Sequence, residues 1–248
     1  MLIEQSAYAN RWRKASPAAK GIFALGGFCA AFAAGAPAAA VVVALLIAAA
    51  TLAGAGIPSG RYLRAVTPAF FFLGISCLSL AFSLRLDDGT GELSLALTPS
   101  GMQKVAEVSA RSIAALTALL FLVLTTPLTD LIALFRRLKT PEVLLEIMVL
   151  CYRMLFVLSA AVHDTLSAQS ARLGYATPRL AIRSLGGLAA NLTLQVWQRA
   201  HALHMAAQAR NNDGPLRFLE PVFANSGRDA IIATAAGSAL VALAVGWS

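Results

Sequence analysis

Residues 21–60 read GIFALGGFCAAFAAGAPAAAVVVALLIAAATLAGAGIPSG, and no Asp, Glu, Lys or Arg interrupts the 40 residues between Lys20 and Arg61. An apolar helix needs about 20 residues to cross a bilayer, so this stretch has room for two spans. Gly35-Ala36-Pro37 breaks it near the middle, where a tight hairpin would turn. The reading is one span over residues 21–35 and a second over 37–56. Both are rich in Ala and Gly, which lets helix backbones approach closely in lipid.

Further uncharged stretches follow. Residues 65–84 include Phe70, Phe71 and Phe72; residues 112–129 form a fourth span that starts a turn or two earlier; residues 230–248 form a fifth. The composition of the 248-residue chain agrees, with 58% apolar and 13% charged residues. Soluble domains average about 45–50% and about 25%. Mean hydropathy is +0.71. An ordinary soluble globule and a disordered chain are both excluded, since disorder needs low hydrophobicity and high charge. The N-terminal segment is not read as a cleavable signal peptide, because polar residues fill positions 4–20 and the apolar region starts too late.

Charge sets the orientation. The net charge is +8, which in a membrane protein points to anionic headgroups and the positive-inside rule rather than to nucleic acid. Arg11, Arg13, Lys14 and Lys20 flank the first span, and Arg61 with Arg64 precede the third. The segment 85–107 is acidic, with Asp87, Asp88, Glu92 and Glu107 against Arg85 and Lys104. The expected topology has the N-terminus and residues 126–228 in the cytoplasm, 85–107 outside and the C-terminus outside. Cys29, Cys77 and Cys151 lie far apart in apolar surroundings and read as small hydrophobes.

Residues 126–228 carry 11 Lys/Arg and 6 Asp/Glu in a helical pattern. Pro127 suits a first helical turn, and Arg136, Arg137 and Lys139 suit a last one. Thr140-Pro141-Glu142 reads as the next start, with no Gly or Pro until Gly174. That helix would be about 48 Å long, with Gly174 as its C-cap. Thr177-Pro178 begins another, running to about Arg210, where Asn211, Asn212, Asp213, Gly214 and Pro215 stop it. Residues 143–162 are nearly all apolar, so a sixth span competes with a helix lying at or beneath the membrane. Basic residues on both flanks oppose a span. So do Glu146 and Arg153, two turns apart on one face. The expectation is an all-α polytopic membrane protein. About five transmembrane helices come from residues 1–125 and 229–248, and one short and two long coupling helices from 126–228.

Several chemistries are missing. No GxxxxGK[ST], GxSxG or HExxH motif occurs, so this chain has no phosphate cradle of the P-loop kind and does not hydrolyse ATP by that route. The five spans contain no acidic or basic residue for a proton relay. His201 and His204 share a helix face, but a metal site needs further ligands. A polytopic enzyme using His201, His204, Asp164 and Glu146 at the interface is the competing function, without an accompanying nucleophile or metal set. A purely structural membrane anchor is a third.

Two Ala-Arg pairs end the two long helices: Ala168-Gln169-Ser170-Ala171-Arg172-Leu173-Gly174, and Ala206-Ala207-Gln208-Ala209-Arg210-Asn211. With Ser16-Pro17-x-x-Lys20, Thr126-Pro127, Asp130-Leu131, Arg136-Arg137-Leu138, Pro141, Tyr152-Arg153, Gly174-Tyr175, Gln198-Arg199 and Asp213-Gly214, this order resembles the T component of energy-coupling factor transporters, of the cobalt type (CbiQ). The resemblance covers most of the chain. It implies a non-catalytic subunit of an ATP-driven importer in the bacterial inner membrane, with cobalt as the implied substrate and nickel or a vitamin as alternatives. ATP and Mg would bind a dimer of partner ATPase subunits, and this chain would hold no cofactor or metal. A separate substrate-binding membrane subunit, with a small accessory membrane subunit, would complete the assembly in the lipid bilayer; nucleic acid is not a partner. The resemblance places ATPase docking at Ala171, Arg172, Leu173 and at Ala209, Arg210, Asn211, with Gly174 and Gly214 as helix-terminating turns. A guanidinium offers a planar fork of donors that stays charged, suited to gripping carboxylates or carbonyls in a groove. An Arg at a helix end also complements the helix dipole, but two in matching contexts favour docking. The family often has Ala-Arg-Gly, where this chain has Leu173 and Asn211.

Overall fold

The computed structural model describes residues 2–86, 93–97, 99–211 and 226–247. Its helices are α1 (Leu2–Ala9), α2 (Pro17–Ala33), α3 (Pro37–Ala49), α4 (Ser59–Ala81), α5 (Pro99–Thr125), α6 (Leu128–Arg137), α7 (Glu142–Ala171), α8 (Pro178–Ala209) and α9 (Ser226–Gly246). A 3-10 turn over Arg11–Lys14 and a π turn over Ala50–Gly54 complete the helical elements. The hairpin break falls where the sequence places it: α2 stops at Ala33 and Pro37 opens α3. Proline is tolerated there because the first N–H groups of a helix have no internal partner.

The chain divides into two compact units, one of residues 1–134 with 221–248 and the other of residues 135–220. In the first, α5 is the central helix, packing on α2, α3 and α4, while α9 lies along α2. The buried core includes Ala24, Ala30, Ala31, Ala40, Ala44, Ala114 and Ala118, with Val43, Ile47, Phe121 and Leu240 as its larger members. Small residues make the approach of α2 to α9 close enough that a Cβ on Gly26 would lie 2.7 Å from the Gly237 Cα. Phe121, 1% exposed, stacks edge-on against Trp12 and Phe23 with ring centroids 5.8 and 4.9 Å away. Such pairs add about 0.5–1.5 kcal/mol each beyond area burial.

The N-terminal segment is folded onto this bundle. The Arg11 N–H donates to the Ala55 carbonyl at 3.0 Å, and the Trp12 ring lies over Gly54, where a Cβ would come within 2.6 Å of it. Gly56 follows with φ +70, a left-handed turn that costs a glycine nothing sterically.

Among the described residues five helices are long and apolar enough to cross a membrane: Pro37–Gly54, Ser59–Ala81, Gly101–Thr125, Glu142–Ala171 and Ser226–Gly246. The number matches the sequence expectation and the membership differs. The first span, α2, has 17 residues and counts among the shorter apolar helices, whereas α7, with its apolar residues 143–162, qualifies by length and composition. At about 1.5 Å per residue α2 is about 26 Å long, close to the hydrocarbon thickness. The fourth span ends at Thr125 rather than near 129, because Pro127 cannot continue the ladder.

Phe82–Leu86 and Leu93–Leu97 form an antiparallel two-stranded ribbon, pairing Phe82 with Leu97 and Leu86 with Leu93. Its second strand lies in the segment read from its charges as an outside loop, whereas its first strand begins at Phe82, inside the stretch read as the third span, whose helix α4 ends at Ala81.

Candidate functional site

The second unit contains the two Ala-Arg helix ends. Both end in the same way. Arg172 caps α7 with φ −95, ψ 17, and Arg210 caps α8 with φ −95, ψ 7. The next residue in each case is left-handed: Leu173 at φ +55 and Asn211 at φ +50. On α7 the Leu173 N–H donates to the Ser170 carbonyl at 3.0 Å and the Gly174 N–H to the Gln169 carbonyl at 2.9 Å. This is a complete Schellman cap, which satisfies carbonyls that a helix end otherwise leaves bare. On α8 the Asn211 N–H donates to the Gln208 carbonyl at 2.9 Å, the matching bond. The substitution of Leu173 and Asn211 for glycine therefore leaves the turn in place. Asn tolerates left-handed backbone readily; for Leu it costs about 1–2 kcal/mol. Gly174 takes part in the cap through its N–H, while the left-handed position is Leu173 and not Gly174.

Gly174 is needed for space. A Cβ there would lie 2.9 Å from the Gln169 carbonyl oxygen and 2.7 Å from Ser184 Oγ. The surrounding contacts close the elbow between α7 and α8. Ser184 Oγ donates to the Gly174 carbonyl at 2.9 Å, Gln169 Nε2 to the Ser184 carbonyl at 3.1 Å, and the Tyr175 hydroxyl to Gln169 Oε1 at 2.6 Å. Thr177 caps α8 as its sequence suggests, its hydroxyl accepting from the Leu180 N–H at 3.3 Å. The elbow thus fixes where α8 starts relative to Arg172.

Ala171, Arg172, Leu173, Ala209, Arg210 and Asn211 are all exposed. Arg172 precedes the elbow and Arg210 follows the last residue of α8, a helix of 32 residues. At about 1.5 Å per residue that helix is about 48 Å long. The two capping Arg residues thus stand at opposite ends of α8. Gly214 lies outside the described residues.

α6 ends in the same cap. Lys139 has φ +58, its N–H donates to the Arg136 carbonyl at 3.0 Å, and the Thr140 N–H reaches the Phe135 carbonyl at 3.3 Å. Thr140 closes α6 instead of opening α7: its hydroxyl donates back to the Phe135 carbonyl at 2.8 Å, and Pro141 precedes the first residue of α7. The capping residue here is Leu138, so this end presents no matching Arg. His201 and His204 lie on α8, and Glu146 and Asp164 on α7. Among the described residues no group of three or more His, Cys, Asp or Glu is placed to hold a metal.

Sequence reasoning missed a second polar constellation, in the first unit. Lys20 and Asp130 are 3% and 1% exposed. Lys20 Nζ donates to the Thr125 carbonyl at 2.9 Å, and Arg13 Nη1 pairs with Asp130 Oδ2. Charged residues are almost never buried unless paired. Lys20 and Asp130 are 110 positions apart in sequence, so neither position signals the other.

Comparison with known proteins follows the same pattern. The profile of the family described as cobalt transport protein, CbiQ, matches residues 9–218. A cobalt transport protein CbiQ of Rhodobacter capsulatus is 35% identical over 217 residues, covering 88% of this chain and 86% of that one. An uncharacterised protein of Methanocaldococcus jannaschii is 36% identical over 112 residues, 45% of this chain and 42% of its own length. A protein of Methanocorpusculum labreanum, provisionally named as a fused cobalt transport protein CbiMQ, is 29% identical over 133 residues, 52% of this chain and 22% of its own. The chain thus spans less than half the length of these two archaeal relatives.

Proposed function

The chain belongs to the CbiQ family of cobalt transport proteins, and from that premise we propose that it is the coupling subunit of an ATP-driven importer. It is a multi-pass membrane protein with a transport role. In this reading α2, α3, α4, α5 and α9 cross the bacterial inner membrane, with the N-terminus in the cytoplasm and the C-terminus outside. The coupling region, residues 126–228, holds α6, α7 and α8 on the cytoplasmic side. Arg172 and Arg210 dock into grooves on the two subunits of a separate ATPase dimer, which binds ATP and Mg. The subunit itself performs no hydrolysis.

The observation that carries this reading is the pair of helix ends with the same sequence pattern, the same backbone geometry and a full helix length between them. An ATPase dimer presents one groove per subunit, and closing on ATP changes the distance between the two. A stiff α8 with an anchor at each end converts that change into movement of the helices. Cobalt ion is the substrate that the family favours, reaching the membrane through a separate substrate-binding subunit. The fused CbiMQ relative supports a CbiM-type partner beside this chain.

A tagged pull-down from native membranes, read by mass spectrometry, tests the proposal. The expected result is co-purification of a P-loop ATPase together with a second polytopic membrane protein. Capture of this chain without any ATPase, from membranes that express one, overturns it.

A further inference from the structure

The chain passes from the first unit into the second along α6, so the α5–α6 junction is one covalent route from the coupling helices into the bundle. That junction is held by the N-terminal segment. Thr125 ends α5, and its carbonyl accepts from both Asn10 Nδ2 at 3.0 Å and Lys20 Nζ at 2.9 Å. Asp130, in the first turn of α6, is 1% exposed and paired with Arg13. Arg13 in turn lies 5.2 Å from the centre of the Tyr8 ring, and the Tyr8 hydroxyl contacts Thr129 Oγ1 at 3.3 Å. The same segment reaches α9: the Ser16 N–H donates to Asp229 Oδ2 at 3.2 Å, and Ser16 Oγ contacts Ser226 Oγ at 3.4 Å. Three helix ends are therefore gathered by residues 8–20.

We propose that the Arg13–Asp130 pair, with Lys20 on the Thr125 carbonyl, is the joint through which motion of the coupling helices enters the membrane bundle, and that Arg13, Lys20 and Asp130 are positioning residues for import. The inference rests on the coupling role proposed above. Two cations and two carboxylates, Arg13, Lys20, Asp130 and Asp229, give a neutral set. Lys20 and Asp130 are buried while Arg13 and Asp229 stay partly exposed; an ionic set of this kind contributes little net stability beside well-packed apolar residues, and its value is in specifying one arrangement. A planar guanidinium on a buried carboxylate fixes direction as well as distance. The charges also suit the helix ends: a cation at the C-terminus of α5 and acids in the first turns of α6 and α9.

The test uses the complete transporter, co-expressed with its own partner subunits, reconstituted in liposomes and assayed for ATP hydrolysis and uptake of cobalt ion. Arg13→Gln keeps a hydrogen-bonding side chain without the charge. In the double variant Arg13→Gln, Asp130→Asn both charges are gone and the set stays neutral, so any folding loss from one unpaired charge is recovered. The expected result is normal assembly, ATP hydrolysis within twofold of wild type, and cobalt imported per ATP reduced about tenfold. Arg13→Lys, which keeps the charge and loses the fork, should recover part of that ratio. Wild-type import per ATP in either Gln variant overturns the proposal. So does failure of both to assemble, because the pair then holds the fold and transmits nothing. If wild type itself does not assemble with an ATPase, the coupling role fails instead.

Discussion

Leu173 sits at φ +55 and the residue is 72% exposed, so Leu173→Gly relieves backbone strain without opening a cavity. The left-handed conformation costs an L residue about 1–2 kcal/mol. Glycine returns about 0.5–1 kcal/mol of that through the greater freedom of the open chain. The difference favours the variant by about 0.5–1 kcal/mol, a factor of about 2–5 in local opening. The amides to watch are those of Arg172, Leu173 and Gly174, which close the cap on the carbonyls of Gln169 and Ser170. Hydrogen exchange of a peptide spanning residues 169–175, corrected for intrinsic rates, should slow by that factor. Leu173→Ala is the control: it keeps Cβ and the strain, and its exchange should match wild type. Asn211→Gly should give a smaller gain, because Asn already tolerates φ +50. Exchange in Leu173→Gly that is as fast as in wild type, or faster, refutes the assignment of strain to this residue.

Other perturbations follow from the packing. Gly174→Ala forces its Cβ to within 2.9 Å of the Gln169 carbonyl oxygen; the elbow should lose about 1–3 kcal/mol, seen as faster hydrogen exchange around Gln169 and Ser184. The two facing glycines of α2 and α9 are unequal. Gly26→Ala would bring Cβ 2.7 Å from the Gly237 Cα, whereas Gly237→Ala meets the Gly26 Cα at 3.5 Å. Gly26→Ala should lower thermal stability in detergent, and Gly237→Ala should leave it level or raise it by up to about 1 kcal/mol through helix propensity. Equal effects at the two positions would contradict the packing described.

The helices were legible where a local rule decides them. Pro37 and Thr177-Pro178 mark starts, and Asn211 marks a stop, because capping chemistry involves residues near in sequence. Leu173 and Lys139 were not legible as left-handed residues, since neither type favours that conformation and the cap imposes it. Thr140 carries a start signal and acts as a stop. The short ribbon has a signal that charge counting passes over: Phe-Ser-Leu-Arg-Leu and Leu-Ser-Leu-Ala-Leu alternate with the period of a strand. Lys20 and Asp130 resemble ordinary charges flanking apolar spans, and only tertiary structure joins them. The repeated Ala-Arg ends were visible as letters; their shared backbone geometry was not.

The affinity of this chain for its ATPase dimer tests the account most directly, measured for wild type and for the Arg172→Ala, Arg210→Ala double variant in nanodiscs. Both side chains are exposed, so their removal should leave the helical content unchanged, which circular dichroism checks. A hydrogen bond to a charged group contributes about 1.5–3 kcal/mol. Two such anchors amount to about 3–6 kcal/mol, a loss of about 10²–10⁴ in affinity. The account predicts a loss of at least about a hundredfold by that arithmetic. Binding by the folded double variant equal to that of wild type would contradict it.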